Sequence, residues 1–309
     1  MGVSELQPFI SIVVSTRGRG SSIRPTIESA LGSLSYPAFV LLVVDQNSDQ
    51  LTAEAVRPFL SDARLRYIRS DKVGLSEGRN LGISEAKAEL IAITDDDCEV
   101  PGDWLEEIAE VFRREPRAGM LFGNVLPGEH LADDGFIPDT VKSETFVARS
   151  MRDKNRVRGL GACLALRRSA WESVHRFDSA LGAGAPFRAA EETDLTVKML
   201  LAGYFVVRTP RVRVTHHGYR TWKEGREHAY RNSFGTGASC AKHLKQGHWS
   251  ILRVIGYEWI RGNVGHFISE SVRQRRLSHF ASVAGFCSGF ATGLSTPIDE
   301  TGNYDKRLL

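Results

Sequence analysis

The residues best suited to chemistry are three consecutive aspartates, Asp95-Asp96-Asp97, which follow the apolar run at residues 90–94. Three carboxylates at a strand end repel one another unless a cation lies among them. Oxygen ligands of this kind suit Mn²⁺ or Mg²⁺, ions that usually also bind substrate phosphates. The sequence therefore predicts a divalent-cation site. The alternative is a solvated turn that caps the next helix, which the buried strand before it makes less favourable.

Two other polar segments also follow apolar, strand-like runs. Ser15-Thr16-Arg17 comes after residues 9–14, and Asp45-Gln46-Asn47 comes after residues 40–44. In a parallel sheet the carboxyl ends of the strands lie at one edge, where ligands bind. We therefore expect both segments to converge with the three aspartates. A structural role explains one such loop well, but it explains three convergent loops poorly.

These segments are positioned by alternating apolar strands and amphipathic helices. Strands are predicted at residues 9–14, 40–44, 65–68, 90–94, 161–167, 205–207 and 212–214, with helices at 76–88, 104–112 and 192–201. This alternation predicts an α/β fold, with a Rossmann-like, mainly parallel sheet flanked by helices. By length and periodicity, residues 1–220 form this body, and residues 221–309 form a basic helical C-terminal region.

Composition excludes several classes of protein and divides the chain by charge. The 309 residues are 42% hydrophobic with a net charge of +3, which excludes a disordered chain and argues against a dedicated nucleic-acid binder. Residues 1–207 carry 24 basic and 30 acidic side chains, a balance of −6, whereas residues 208–309 carry 16 and 7, a balance of +9. Basic and aromatic residues there, among them Arg273, Arg275 and Arg276, suit a membrane surface, an anionic acceptor or another subunit. A solvated helical face is the alternative.

Cysteine usage and targeting signals predict a cytoplasmic protein. Cys98, Cys163, Cys240 and Cys287 are far apart, which favours a reducing compartment over a disulfide framework or a zinc site. The first residues lack the pattern of a signal peptide. Residues 277–297 contain no Asp, Glu, Lys or Arg but are diluted by Ser, Thr and Gly, so we expect a buried or interfacial helix. Peripheral contact with the inner face of a membrane is compatible with this pattern.

Taken in order, the motifs resemble those of family 2 glycosyltransferases, which have the GT-A fold and use nucleotide sugars. The resemblance extends over about residues 9–217. Its motifs are Ser15-Thr16-Arg17, residues 43–48, 74–83, 93–98 and 191–195, and residues 212–216. It implies an inverting transfer from a nucleoside-diphosphate sugar to an acceptor hydroxyl. Processive members carry a Gln-x-x-Arg-Trp motif and several membrane spans, neither of which occurs here, so transfer of a single sugar is expected.

The resemblance also implies which residues bind the donor. Thr16 and Asp45 would contact the base, which is expected to be uracil, with Arg17 and Asn47 nearby. Arg79 suits the base or the diphosphate, because its planar guanidinium matches both. A surface helical charge is the alternative for Arg79. The same motifs predict six further residues that bind the nucleotide sugar: Ser15, Gly74, Asn80, Asp95, Asp96 and Glu191.

Metal binding and catalysis are assigned by the same resemblance. Asp97 is the expected direct ligand of Mn²⁺ or Mg²⁺, Asp95 binds the metal or the ribose, and Asp96 contacts either. His216 is expected at the metal or diphosphate, with His217 as its rival. In Glu191-Glu192-Thr193-Asp194 the second acid is the expected general base. Glu192 therefore occupies a position where Asp is commoner, and Asp194 is the fallback base.

Two other functions remain open from the sequence. One is a non-catalytic protein that binds nucleotide sugars, for which the Glu192 substitution is a mild indication. The other is a sugar nucleotidyltransferase. Enzymes of that class carry a Gly-rich, basic loop after the first strand, and Thr16-Arg17-Gly18-Arg19-Gly20 slightly resembles such a loop. The Glu-Glu-Thr-Asp and His216 motifs favour sugar transfer over both. The acceptor, expected to be a saccharide or a lipid-linked glycan, would contact residues 126–158 and the C-terminal region, and a homo-oligomer is compatible with the sequence.

Overall fold

A computed structural model describes residues 7–32, 34–129, 134–260 and 280–308. Within these ranges the chain forms a central sheet of nine strands and a separate two-stranded ribbon. The strands are β1 (Ile10–Thr16), β2 (Phe39–Asp45), β3 (Leu65–Arg69), β4 (Leu90–Asp95), β5 (Cys98–Glu99), β6 (Ala118–Pro127), β7 (Gly135–Phe136), β8 (Phe146–Ala148), β9 (Leu164–Arg167), β10 (Phe205–His216) and β11 (Arg220–Thr221).

Nine α-helices are described beside these strands. They are α1 (Arg24–Gly32), α2 (Leu51–Val56), α3 (Leu75–Glu85), α4 (Trp104–Arg114), α5 (Arg168–Ser173), α6 (Glu191–Leu201), α7 (Trp222–Lys245), α8 (Ile251–Tyr257) and α9 (Phe280–Ser295). The predicted helices at residues 76–88, 104–112 and 192–201 correspond to α3, α4 and α6. Helix α7 begins at Trp222 with Thr221 as its N-cap, in a capping box with Glu224.

The sheet order is β3-β2-β1-β4-β9-β6-β10-β5, with β8 paired to β10. The four strands from β3 to β4 are parallel, and β6 is parallel to β10. Only β9, which lies between β4 and β6, runs against both of its neighbours in the centre of the sheet. This confirms the predicted α/β class with a mainly parallel sheet flanked by helices.

Side chains on both faces of the central strands are buried, which explains why these strands are continuously apolar. Ile12 of β1 packs in one hydrophobic cluster with Leu41. Val13, its neighbour in sequence, points to the opposite face and packs in a second cluster with Leu42 and Ile91. The alternation follows the two-residue period of a strand. A sheet covered on both faces leaves its strand ends as the place where polar groups can meet.

Three sequence predictions about strands need correction. No strand was predicted at residues 118–127, yet β6 is a core strand, because Gly119 and Gly123 dilute its apolar pattern. Gly123 is required there by close packing, since a Cβ atom would overlap the backbone of Val212. The two segments predicted at residues 205–207 and 212–214 form the single strand β10, which is irregular between Arg208 and Arg213. Residues 161–163 form a 3₁₀ turn, and β9 begins only at Leu164.

The C-terminal region contains α7, α8 and α9. Helix α9 lies within the stretch predicted as a helix at residues 277–297. It packs so closely on α7 that a Cβ atom at Gly285 or Gly289 would overlap the α7 backbone at Tyr230 or Phe234. Residues 277–279 and the predicted basic residues Arg273, Arg275 and Arg276 lie outside the described residues. None of the described helices has both the length and the hydropathy needed to cross a bilayer.

Candidate active site

Strand pairing brings the predicted polar loops together at one edge of the sheet. Thr16 pairs with Asp45 of β2, and Ser15 pairs with Asp95 of β4, so the ends of three strands are in register. A cavity of about 570 Å³ opens at this edge. The predicted site residues that line it are Ser15, Thr16, Arg17, Gly74, Arg79, Asp95, Asp96, Asp97, Glu191, Glu192 and His216.

The three aspartates line the cavity beside His216, Arg19 and Arg79. His216 Nε2 lies 3.3 Å from Asp97 Oδ1. Arg19 places its Nε 3.0 Å from Asp96 Oδ1 and also contacts Asp97. Although burial opposes ionisation, the His216 hydrogen bond and the Arg19 guanidinium hold the pKa of Asp97 below its usual range. Burial raises the pKa of Asp96 to about 6.

These groups fit a divalent cation. Ligand atoms of Asp97, Cys98 and His216 lie within 4.8 Å of one another. Burial raises the pKa of the Cys98 thiol well above its usual range, so the carboxylate and the imidazole are the better ligands. In the structure, Arg19 places its positive charge beside Asp96 and Asp97, where the neighbouring carboxylates would otherwise repel one another. The donor set of oxygen and imidazole nitrogen suits Mn²⁺.

The structure distinguishes His216 from its neighbour in sequence. His216 is 7% exposed, and its second nitrogen, Nδ1, lies 3.1 Å from the Pro138 carbonyl oxygen. This contact fixes the orientation of the ring. His217, the first residue after β10, does not line the cavity, and its Nε2 lies 3.2 Å from Glu99 Oε1.

Arg79 connects the aspartates to the acidic end of α6. Its Nη2 lies 3.1 Å from Asp95 Oδ1, and its Nη1 lies 3.2 Å from both Glu191 Oε1 and Glu192 Oε1. Arg79 is only 1% exposed, so it is a buried cation held by three carboxylates and not a surface helical charge. Burial and the adjacent Glu192 raise the pKa of Glu191. Gly161 makes this arrangement possible, because a Cβ atom there would overlap Glu192 and Arg79.

The loops expected to hold the nucleoside contain buried polar groups. Asp45 is fully buried and lies behind the cavity wall, where it accepts hydrogen bonds from Asn47 Nδ2 at 2.6 Å and Tyr67 Oη at 2.5 Å. Gln46 lines the cavity and donates to the carbonyls of Lys72 and Gly74. Ser15 Oγ is buried and has no hydrogen-bond partner among the described residues, so a bound ligand could satisfy it.

Four predicted site residues do not line the cavity: Asp45, Asn47, Asn80 and Asp194. The first two support the loop between β2 and α2. Asn80 exchanges hydrogen bonds with the backbone of Phe177, at 2.9 and 3.1 Å, which is a structural role. Asp194 is fully buried on the other side of α6, where Lys242, His243 and Ser239 contact it. This placement, away from the cavity, favours a structural role for Asp194 over its predicted role as the fallback base.

Several cavity residues were missed from the sequence. Arg19 and Arg220 lie two and four residues after Arg17 and His216, so proximity to the motifs was a usable signal. Lys154 and Arg158 lie between β8 and β9, in the segment expected to contact the acceptor, but nothing local marks them as cavity residues. Arg220 Nη1 is buried without a hydrogen-bond partner within the described ranges, so it too is available to a ligand.

The class of protein follows from this fold and its site. A mainly parallel sheet, covered on both faces, with aspartates and a histidine at its carboxyl edge is the architecture of GT-A glycosyltransferases. The structure is similar to that of the mannosyltransferase PcManGT from Pyrobaculum calidifontis, solved in complex with GDP-Man and Mn²⁺. The TM-score is 0.61 at 14% sequence identity, with 94% of this chain and 88% of that chain covered.

A family model confirms the class at the level of sequence. The model described as "Glycosyl transferase family 2" matches residues 11–173, and the chain therefore belongs to that family. The chain is 28% identical to the uncharacterized protein y4gI of Sinorhizobium fredii, over 68% of this chain and 24% of the relative. It is 26% identical to the glucosyl-dolichyl phosphate glucuronosyltransferase of Haloferax volcanii, over 42% of each chain. The chain thus spans less than half the length of these two relatives.

Proposed function

We propose that this chain transfers a single sugar, with inversion, from a UDP sugar to a hydroxyl of a saccharide or lipid-linked glycan. One observation carries the proposal: the buried guanidinium of Arg79 joins Asp95, among the strand-end aspartates, to Glu192 at the start of α6. The groups that would bind the donor phosphates and the group that would activate the acceptor therefore share one cavity.

The donor would lie along the strand ends. The loop after β1, with Ser15 and Thr16, and the loop after β2, supported by Asp45, would hold the nucleoside. Asp97 and His216 would hold Mn²⁺, with Asp95 and Asp96 beside them as further ligands or ribose contacts. When bound, such an ion neutralises the charge that develops on a departing diphosphate. Arg79 would stabilise the same charge, because its guanidinium carries its full charge within the cavity wall.

Glu192 is the acid best placed to act as general base. Its side chain is 19% exposed to the cavity, whereas that of Glu191 is 5% exposed and that of Asp194 is 1% exposed. Arg79 and the close approach of Gly161 fix its position. Glu192 would take the proton from the acceptor hydroxyl, whose oxygen attacks the anomeric carbon from the face opposite the diphosphate. The bond to the diphosphate breaks as the new bond forms, and the configuration inverts.

Two further assignments accompany this proposal. Residues 1–220 would form the catalytic domain, and residues 221–309 a helical region that contributes to the acceptor side, since His228, Asn232 and Thr236 of α7 line the cavity. The name of the Haloferax volcanii relative refers to a dolichyl phosphate substrate, which supports a lipid-linked acceptor. Such an acceptor would place the protein at the cytoplasmic face of a membrane.

Donor screening tests the function directly. The protein is incubated with Mn²⁺ and with UDP sugars and GDP sugars, each in a separate reaction. Slow hydrolysis of the donor is measured as released nucleoside diphosphate. Hydrolysis of one UDP sugar, abolished by a metal chelator, is expected. ¹H NMR of the initial product would show the inverted anomer. Binding without hydrolysis would indicate a non-catalytic protein, and formation of the donor from a sugar phosphate and UTP would indicate a nucleotidyltransferase.

A further inference from the structure

Lys154 is a buried lysine with no acidic partner among the described residues, and it lies at the wall of the cavity. It begins a 3₁₀ turn after β8 (Lys154–Arg156) and is 2% exposed. Burial, together with the nearby Arg158, lowers the pKa of Lys154 to about 7. A buried ammonium without a counter-ion destabilises the folded chain, and proteins seldom retain one without a function.

The groups around Lys154 do not neutralise it. Arg158 is itself a cation, and its guanidinium contacts Glu258, so that carboxylate is already paired. The Arg158 guanidinium also lies over the ring of Tyr257, 5.0 Å from its centroid. Cys240 of α7 also acts electrostatically on Lys154, and burial raises the pKa of its thiol to about 12. Within the described part of the chain, neither of these two neighbours offers Lys154 a carboxylate.

Lys154 belongs to a different part of the cavity wall from the donor loops. The donor groups are at the ends of β1, β2 and β4, whereas Lys154 belongs to the segment between β8 and β9. That segment continues to Gly161, whose Cα lies against Glu192, so it forms the wall beside the proposed base. Arg188, which stacks over Phe234 of α7 at 5.3 Å, also lines this cavity. Lys154, Arg158 and Arg188 thus line the same cavity as Glu192.

We propose that Lys154, with Arg158 beside it, binds an anionic group of the acceptor, a phosphate or a carboxylate close to the hydroxyl that receives the sugar. This inference deepens the proposed function and rests on it. The anion supplies the counter-charge that the described residues do not, and it holds the acceptor hydroxyl near Glu192. A neutral saccharide would leave the buried charge of Lys154 unpaired and would bind more weakly.

The first test uses stability and needs no substrate. Met has a similar length to Lys but no charge, so Lys154→Met should raise the melting temperature by about 2–4 °C in anion-poor buffer. Lys242 provides the matched control, because it is equally buried but lies 2.6 Å from Asp178 and 2.8 Å from Asp194. Lys242→Met should lower the melting temperature by about 6 °C or more. A fall of similar size in Lys154→Met would overturn the inference, since it would show that Lys154 is structurally paired.

The second test measures recognition of the anion. The protein is first saturated with UDP and Mn²⁺, so that the donor phosphate sites are filled, and then titrated with glucose 1-phosphate, glucuronate or glucose at constant ionic strength. We expect one of the anions to bind wild-type protein at least tenfold more tightly than glucose, and Lys154→Met to lose that preference. The two anion arms distinguish a phosphate from a carboxylate. Equal binding of glucose, or an unchanged preference in the variant, would contradict the inference.

Failure of this inference can be distinguished from failure of the proposed function. If wild-type protein binds neither UDP nor any other nucleoside diphosphate with Mn²⁺, the proposed function is wrong. If UDP binds wild-type protein but Lys154→Met binds it at least tenfold more weakly, Lys154 belongs to the donor site, and only the acceptor assignment is wrong. Unchanged UDP binding together with loss of the anion preference supports both.

Discussion

The two sides of α6 use charged residues in opposite ways. On the cavity side, Glu191 and Glu192 share Arg79 with Asp95, and Glu192 still faces open space. On the other side, two residues further along, Asp194 is enclosed by α7. The partners of Asp194 are Lys242 at 2.8 Å, His243 at 3.0 Å, Ser239 at 3.1 Å and Lys198 at 3.6 Å.

The difference separates charges that stabilise the fold from charges that are available to a ligand. On the Asp194 side, donors of the protein itself contact the buried carboxylate of Asp194, and these contacts hold α7 against α6. The cavity side leaves groups unpaired or shared: Arg79 serves three acids, Ser15 Oγ has no partner in the described chain, and Lys154 has no counter-ion there. Satisfied buried networks rigidify a protein, whereas incomplete ones lower stability and mark functional sites.

The largest effect should come from Glu192→Gln. Removal of the proton acceptor at constant shape is expected to reduce turnover by about 10²–10⁴-fold, the usual contribution of a general base. UDP binding and the melting temperature should stay near the wild-type values, because Gln can still contact Arg79. Stopped-flow or discontinuous transfer assays give the rate, and calorimetry gives nucleotide affinity. Near-full turnover would remove Glu192 from its role.

Asp194→Asn should lower stability and leave nucleotide binding intact, whereas Glu192→Gln should lower turnover and leave stability intact. Breaking a buried ion pair costs about 3–5 kcal/mol, so the free energy of unfolding should fall by that amount while folded protein still binds UDP. Urea unfolding at pH 7 measures the change. A variant that is stable but inactive would instead identify Asp194 as the base, and the contrast between the two sides of α6 would be lost.

The pH dependence of Asp194→Asn sharpens this result. Although burial opposes ionisation, Lys242, Lys198 and His243 hold the pKa of Asp194 well below its usual range. A depressed folded-state pKa gives stability that is complete above the unfolded pKa of about 4 and is lost as the pH falls through the folded value. The difference in unfolding free energy between wild type and variant should therefore be full at pH 7 and shrink below about pH 4.

Asp97→Asn should weaken Mn²⁺ binding by at least about 10–100-fold, because loss of an outer-shell partner alone costs that much and Asp97 is the proposed direct ligand. Isothermal titration calorimetry or the electron paramagnetic resonance signal of free Mn²⁺ measures this without any assay of activity. His217→Ala is the control, since His217 points to Glu99 and should leave the affinity unchanged. An equal loss of Mn²⁺ affinity in both variants would mean that His217 belongs to the metal site, contrary to the assignment of His216.

The smallest effect is expected from Arg19→Gln, and its sign is opposite. Arg19 contacts Asp96 and Asp97 and therefore competes with a metal ion for them. Because its side chain is 43% exposed, its ion pairs are worth about 0.2–1 kcal/mol, so Mn²⁺ should bind about two- to fivefold more tightly in the variant. Weaker Mn²⁺ binding in the same titration would mean that Arg19 supports the metal site instead of opposing it.

Patterns within short segments were sufficient to predict much of the fold. The apolar runs predicted at residues 9–14, 40–44 and 90–94 correspond to parallel strands in register, because strand period and burial are local properties of the chain. Strand β6 was missed, since Gly119 and Gly123 break the apolar pattern for a reason that lies in close contacts with other elements. The division of strand β10 into two predicted segments had the same kind of cause, an irregular pairing with β6.

By itself, therefore, the sequence determined the positions of strands β1 to β4 and of helices α3, α4 and α6, the cluster Asp95-Asp96-Asp97 and the acids at the start of α6. Only the tertiary structure decided which acid faces the cavity. Glu192 and Asp194 are two residues apart, which turns them about 200° around a helix, and the choice of face depends on α7, whose Lys242 is 48 residues further along the chain. It likewise decided that Lys154 is buried at the cavity wall, because burial of a charge depends on contacts between segments that are distant in sequence.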